Sequence, residues 1–455
     1  MPVLRFLRSA TCAIGTLALS ATSASASDVA SAAAQYGGIV VGTETLAEAL
    51  ASAYANNPDL NAQRAGLRAT DEAVPQARSA FLPSVDGSAS ANFLSGTGSA
   101  SLGISQTLFD GFGRVNALKS AETSVLAGRE TLRSTEQNTL LAAVRAFMGL
   151  VQAQAVLNLR SQNVDFLREQ VRAAEDRLSV GEGTRTDVAQ TNARLAAGQS
   201  QLNAATASQN SAIATYQQVI GHVPSALGNA DSVETKLPTS LDAALAMAMA
   251  GHPSILAARY AVDNAAFGVK SAESNLLPTA SISGGVSIDN TGATDTSLSG
   301  RVSMPIFTGG ANSSRVRQAK ETLGQRQIQL DSAIASTRQA TISAWGSLDS
   351  ARAQIVAANA QVTAQQLVLS GVTEERRVGQ ATTLDVLNAQ QELLNARVAQ
   401  VQAQHDRVVA AYSLLAAIGM LNADILGLNV DRYDPTAHYD QVRNAIGGLR
   451  TPDGR

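Results

Sequence analysis

The chain has 455 residues, enough for two or three ordinary domains, yet aromatic residues make up only 4% of it and charged residues only 16%. Ala, Ser, Gln and Asn fill positions where a globular enzyme carries bulky apolar groups, and small residues of that kind suit long helices packed closely along their length. A formal net charge of −3, with basic and acidic residues intermixed, leaves no electrostatic footprint for nucleic acid.

Taken from the N-terminus, Arg5 and Arg8 precede an apolar run from Cys12 to Leu19. A small-residue stretch ending Ala24-Ser25-Ala26 follows, the layout of a cleavable secretory signal. Residues 1–26 are therefore expected to be removed and 27–42 to form a flexible mature N-terminus. Cys12 is the sole cysteine and lacks the neighbours that mark lipid attachment, so the mature chain is expected to hold neither a disulfide nor a thiolate metal site. No later segment approaches the roughly 18 uninterrupted apolar residues of a membrane-spanning helix. An exported chain of this kind is periplasmic, secreted, or held in an outer membrane by strands.

Residues 43–221 read as one structural unit. It opens on the helical stretch LAEALASAYANNPDLNAQR, residues 46–64, and runs to Leu82-Pro83. Val85, Gly87, Ala89, Ala91 and Phe93 then alternate with Ser84, Asp86, Ser88, Ser90 and Asn92. After a turn, Ala100, Leu102 and Ile104 alternate with Ser and Gly. Period-two patterning predicts strands at about 84–93 and 99–108, each long enough at the usual tilt to cross the apolar band of an outer membrane. Proline is absent from 84 to 223. Residues 114–180 accordingly predict one helix of roughly 100 Å, far longer than a globular domain needs. The stretch VGEGTRTDV, residues 180–188, marks its reversal, a hairpin tip near 180–187, and the returning helix ends at Ile220-Gly221.

A linker at 222–237 leads to a second unit at 238–419 that repeats the first. LDAALAMAMAGHPSILAAR, residues 241–259, aligns without gaps on 46–64, and Leu277-Pro278 on Leu82-Pro83. Strands are predicted at about 279–289 and 297–306, from Ala280, Ile282, Val286 and Ile288, then Leu298, Val302, Met304 and Ile306. Ile306-Phe307-Thr308-Gly309 matches Leu108-Phe109-Asp110-Gly111, Phe147 matches Trp345, and VGQATTLDV, residues 378–386, matches the first tip, which puts the second near 378–385. On its returning helix Leu387, Leu394, Val401, Val408 and Leu415 recur every seven residues, a coiled-coil seam. Residues 420–455 form a C-terminal tail.

Four strands cannot close on themselves, and an open sheet edge is not tolerated in lipid. Two copies would give eight strands with a filled interior, whereas three give twelve with room for a lumen. The fold class expected is thus mainly α with a small β part: long antiparallel coiled-coil helical hairpins in a duplicated arrangement plus four transmembrane strands per chain. Three chains would form a 12-stranded β-barrel atop an α-helical barrel.

The chain resembles the TolC-like outer-membrane channel-tunnels over nearly all of its mature length. The duplicated NNPDL and HPSI helices, LP before each outgoing strand, LFDGFG and PIFTGG where strand passes into helix, both VG tips and the closing IG of each unit carry that resemblance. YDPTAHYDQV, Tyr433 to Val442, is similar to the tail of members assigned to type I protein secretion. The resemblance implies a homotrimer in outer-membrane lipid, with its tunnel in the periplasm, working with a periplasmic adaptor (membrane fusion) protein and an inner-membrane transporter, ABC or proton-driven. It implies an exit path for type I protein secretion, or for multidrug and small-molecule efflux, with no cofactor.

In that family the VG tips meet the adaptor, which would involve Val180, Gly181 and Thr184, and Val378, Gly379 and Thr382. Asp385 matches a family aspartate lining the closed periplasmic entrance, with Asn388 and Asp187 as companions. The family's second aspartate is replaced by Asn388 here and by Gln190 in the first unit, so the ring carries less charge. The family's Tyr and Arg gate-locking positions correspond to Arg376 and Ala381. Two local readings compete: glycines that only make the turn, and aspartates that only cap the restarting helix.

Catalysis has no support. His222, His252, His405 and His438 lack ligand spacing, and neither an HExxH nor a GxSxG motif occurs. His405 reads as a packing or lumen-facing residue and Trp345 as core of the helical tube. The alternative function is a trimeric coiled-coil surface or adhesin-type protein, which predicts one continuous heptad tract and one strand block.

Overall fold

The structure, a computed structural model, describes residues 43–94, 96–228, 233–452 and 454. The expected signal segment 1–26 and N-terminal stretch 27–42 lie outside the described residues.

Helices α1 (Leu46–Asn56), α2 (Pro58–Asp71) and α3 (Ala73–Ser79) lead into strands β1 (Ser84–Asn92) and β2 (Thr97–Phe109). Helix α4 (Gly113–Ser179) and its return α5 (Arg185–Ile220) complete the first unit. The second unit repeats the order, with α6 (Leu241–Gly251), α7 (Pro253–Ser274), β3 (Thr279–Asp289), β4 (Thr294–Ser303), α8 (Ala311–Arg377) and α9 (Thr383–Ala417). The tail adds two short helices, α10 (Ala423–Leu426) and α11 (Ala437–Val442). α4 and α8 have 67 residues each, or roughly 100 Å at 1.5 Å per residue.

Local chemistry sets the breaks. A capping box between Thr45 and Glu48 starts α1, and Asn57 caps α2 with Pro58 at its first position. The second unit uses His252 in the same place, its Nδ1 accepting the Ser254 backbone N–H at 3.2 Å ahead of Pro253. Where β2 passes into α4, Gly111 and Phe112 both take positive φ, 65° and 69°. The matching pair in the second unit is Gly309 and Gly310. Phe112 accepts a conformation that glycine adopts without strain, while its ring meets Phe109 edge-on at 5.6 Å.

The four strands make one antiparallel sheet in the order β1-β2-β3-β4. Val85 pairs with Ile104, and Leu102 with Val286, so one face is apolar; Ser84 opposes Ser105, and Ser101 opposes Ser287, on the other. Serine hydroxyls link across that second face, Ser88 to Ser101 at 2.8 Å and Ser283 to Ser299 at 2.9 Å. The apolar face is exposed in the single chain: Val85, Leu102, Leu298 and Val302 are all more than half exposed. The fourth strand ends at Ser303, short of the expected 306, because Pro305 has no N–H for a ladder. Met304, Ile306 and Phe307 lie exposed below it.

The helices continue the order of the strands. Nearest the sheet α2 and α3 pack on α4, α4 on α7, and α7 on α8. Further away the row is α5, α4, α9, α8. Among the described residues each row therefore has two free edges, as the sheet does. The main core lies between: Leu46, Leu50, Phe147, Tyr216, Ile220, Leu414 and Leu415 are buried together, with Trp345 packed half-buried against them. Of the heptad positions on α9, Leu387, Leu394 and Leu415 are buried, and Val401 and Val408 half-buried. Helix α4 and the helical stretch Leu241–Ser274, α6 with α7, each contain an 18-residue window apolar enough on average to cross a membrane, although no uninterrupted apolar run of that length was expected from the sequence. In the first of them Leu140, Ala143, Val144, Phe147 and Leu150 belong to the core, so their apolarity serves packing.

Candidate functional site

The long hairpins reverse at two tips built alike. Val180 is the C-cap of α4 and Val378 that of α8. Gly181 and Gly379 follow, each with φ 80°, the left-handed conformation in which L side chains are strained and glycine is not. In the first tip Gly181 N–H donates to Leu178 O at 3.2 Å and Glu182 N–H to Arg177 O at 2.9 Å. In the second Gly379 N–H donates to Arg376 O at 3.1 Å and Gln380 N–H to Glu375 O at 2.8 Å. Both are Schellman motifs, which satisfy carbonyls that a helix end leaves bare.

The restart is matched as well. Thr184 caps α5 and Thr382 caps α9. Asp187 Oδ2 accepts from the Thr184 hydroxyl at 2.7 Å and backbone N–H at 3.1 Å, and Asp385 Oδ2 from those of Thr382 at 2.6 and 2.8 Å. In return the threonine hydroxyls accept the Asp187 and Asp385 backbone N–H groups. Hydrogen bonds from Thr184 and Thr382, side chain first and backbone second, hold both carboxyls below the usual carboxylate range. A Schellman motif followed by a capping box accounts for Gly, Thr and Asp at one spacing in both units. Local helix chemistry therefore explains the threonine and aspartate offsets, which the turn alone left open.

Two features of the tips go beyond turn making. Val180 and Val378 are 69% and 63% exposed, apolar side chains held out at the ends of the hairpins. The hairpins are also tied to each other: Arg194 Nη2 on α5 donates to Asn388 Oδ1 on α9 at 3.0 Å, and Arg376 Nη1 on α8 donates to Gln170 Oε1 on α4 at 2.9 Å. Asp385 and Asn388 are exposed and Asp187 half-exposed. Arg194 and Gln170 were not expected from the sequence, because their partners lie 194 and 206 residues away.

A second cluster fastens the linker. Glu234 takes Arg352 of α8 at 3.0 Å and Arg407 of α9 at 2.7 Å, and the Arg407 hydrogen bond leads the causes that hold its carboxyl low. The remaining histidines are structural. His222 meets Glu44 at 3.0 Å, and His405 meets Asp406 at 2.9 Å. Among the described residues no group of three or more His, Cys, Asp or Glu is placed to hold a metal.

The profile of the outer membrane efflux protein family matches residues 49–222 and again 244–420, one match to each unit. The chain is 47% identical over 427 residues to outer membrane efflux protein BepC of Brucella suis, covering 91% of this chain and 93% of that one. It is 26% identical over 337 residues to the alkaline protease secretion protein AprF of Pseudomonas aeruginosa, covering 71% and 70%. Among solved structures, the Campylobacter jejuni CmeC outer membrane channel superposes with a TM-score of 0.76 at 18% identity, covering 88% of this chain and 89% of that one.

Proposed function

Because this chain belongs to the outer membrane efflux protein family, a family of outer-membrane channels that catalyse no reaction, we propose that three copies close into one conduit. A 12-stranded barrel would cross the outer membrane and an α-helical tunnel would reach into the periplasm. The observation that carries the proposal is the pair of free edges on each layer. Among the described residues β1 and β4 are unpaired on their outer sides, and an open edge is not tolerated in lipid. The free flank of α8 meanwhile exposes Ile328, Ile342 and Val356 at intervals of 14 residues, two heptads each, a stripe suited to a helix of the next copy. Twelve strands leave room for a lumen, which the serine-lined face would border while the apolar face meets lipid.

The tips form the periplasmic end. Val180, Gly181, Thr184, Val378, Gly379 and Thr382 would present the surface that a periplasmic adaptor protein grips, with the exposed valines as its apolar part. The adaptor would link the tunnel to an inner-membrane transporter, ABC or proton-driven. Asp385, with Asn388 and Asp187 beside it, would border the entrance, where threefold symmetry turns one carboxylate into three.

Among cargoes we favour type I protein secretion. The Tyr433–Val442 stretch resembles that of secretion members, and relative AprF is named for alkaline protease secretion. Small-molecule efflux is the second reading, favoured by the name of BepC. The adhesin alternative has no support: the chain holds two strand pairs and two antiparallel helical hairpins where it predicts one continuous tract. Planar-bilayer recording of the detergent-purified protein tests the conduit. Pores from a homotrimer are expected, and a stable monomer without conductance would refute the reading.

A further inference from the structure

At the foot of the sheet a cleft of roughly 370 Å3 opens between the end of α3, the start of α4 and the C-terminal tail. Its lining is of two kinds. Phe81, Leu82, Leu118 and Ile446 are apolar, and Arg78 and Arg443 are cationic. Arg78 donates through Nη1 to the Arg443 carbonyl at 3.1 Å and to Asn444 Oδ1, which pins the tail close to the strand beginning at Ser84. Arg443 has Asp440 at 3.5 Å and the Tyr439 ring at 5.9 Å, while Arg78 forms no ion pair among the described residues. Past the cleft the tail carries Ile446 and Leu449, 85% and 104% exposed, and then Arg450.

α11 touches α2 through His438 and Asp71, at 3.1 Å, and approaches α4 through Tyr439, whose ring lies 5.2 Å from the Arg129 guanidinium. The tail thus packs on α2, beside α4.

We propose that the cleft binds an anionic phospholipid of the membrane's periplasmic leaflet. The phosphate would meet Arg78 and Arg443, and an acyl chain would lie along Phe81, Leu82 and Ile446. The proposal rests on the reading that the sheet crosses the outer membrane, because only then does its foot stand at the bilayer surface. Basic side chains at that level attract anionic headgroups within a Debye length, and a guanidinium recognises a phosphate through paired N–H donors. Ile446 and Leu449, costly to leave in water, would enter the bilayer interface. The tail becomes a second membrane contact that fixes the height of the helical tube.

The test uses the full-length protein in neutral detergent, exchanged against mixed micelles of phosphatidylglycerol or of phosphatidylcholine with the same acyl chains. Native mass spectrometry counts the lipid retained, and bilayer conductance is recorded on the same samples. Phosphatidylglycerol should be retained about fivefold over phosphatidylcholine. The double variant Arg78→Gln/Arg443→Gln should lose that preference, and Arg78→Lys/Arg443→Lys should keep most of it. Ile446→Ser, which disturbs no hydrogen bond or ion pair described above, should lower retention of both lipids about twofold. Equal retention of the two lipids by the wild type, or an undiminished preference in the double Gln variant, overturns the site while conductance remains normal. Absence of conductance in the wild type overturns the membrane-spanning reading itself, and the site with it.

Discussion

Arg194 on the return of the first hairpin donates to Asn388 on the return of the second at 3.0 Å, so two tips that are far apart in sequence are fastened side by side. Arg376 and Gln170 make the companion tie between the outgoing helices at 2.9 Å. A hydrogen bond to a charged group contributes about 1.5–3 kcal/mol when shielded and less where, as at Arg194, the partners are exposed. Arg194→Ala with Arg376→Ala should leave the trimer intact, since neither residue belongs to the core, and should loosen the periplasmic end. The expected outcome is a single-channel conductance raised severalfold. An unchanged conductance would mean that the ties only order the tips.

The flank of α8 makes a separate prediction. Burying an Ile or Val side chain contributes about 1.5–3 kcal/mol, and a charge there must be desolvated. Ile342→Asp should therefore shift the purified protein from trimer towards monomer, measured by mass in detergent, while its helical content is retained. Ile342→Leu should assemble normally. A trimer indifferent to the aspartate would mean that the stripe faces solvent.

Much of this organisation was legible in the sequence because its signals are periodic. Alternation at Val85, Gly87 and Ala89 marks a strand locally, and the long proline-free spans mark the helices. Thr-x-x-Asp, the capping-box spacing, was equally visible at Thr382 and Asp385, and the geometry takes that local form. Contacts between residues hundreds of positions apart leave no such trace. Nothing near His438 points to Asp71, which lies 367 residues earlier in a helix whose buried face reads as ordinary amphipathic pattern. The route of the tail was illegible for the same reason. β4 ended early because Pro305, which lacks a ladder donor, outweighed the apolar run to Ile306.

The tail's seating should depend on pH through Asp71. Its side chain is fully buried, and among the described residues Oδ1 has no hydrogen-bond partner. Burial pushes the carboxyl above its usual range, opposed by the His438 hydrogen bond and by the charges of His438 and Arg129; Glu72 adds to the rise. A carboxyl whose pKa folding raises contributes stability in acid, below its unfolded value, and loses it as pH rises through the folded value. Limited proteolysis of the tail should therefore quicken between acid and neutral pH. Asp71→Asn, which keeps an acceptor for His438, should flatten that profile. An equal slope in the variant would place the dependence elsewhere.

Gly181 and Gly379 separate docking from turning. Among the described residues, leaving aside the chain neighbours, no atom lies within 4 Å of a Cβ built on either, so an added Cβ has open space and the strain comes from the positive φ, at about 1–2 kcal/mol. Gly181→Val or Gly379→Val should leave the trimer and its conductance intact and weaken export and crosslinking to the adaptor. Wild-type crosslinking yield in these variants would reduce the tips to turns.

Asp385 can be divided into its two candidate roles by paired variants. Its carboxylate takes two hydrogen bonds from Thr382 as the returning helix begins, and these hold its pKa below the usual range. Stability from such a group is present above the ordinary carboxylate value and lost as pH falls through the depressed one, so the cap should fail only in strong acid. Asp385→Asn keeps an oxygen that can accept both bonds but removes the charge. Thr382→Ala keeps the charge but removes the cap, at a cost of about 1 kcal/mol. If three carboxylates border the entrance, Asp385→Asn should lower cation selectivity, most strongly at low salt, because screening at physiological ionic strength acts over about 8 Å. Asn388, being neutral, cannot replace the charge. Thr382→Ala should instead leave selectivity in place and increase hydrogen exchange in the first turn of α9. Reversal potentials across a salt gradient and amide exchange at the tip read the two effects independently. Selectivity unchanged in Asp385→Asn would leave the aspartate with its cap alone.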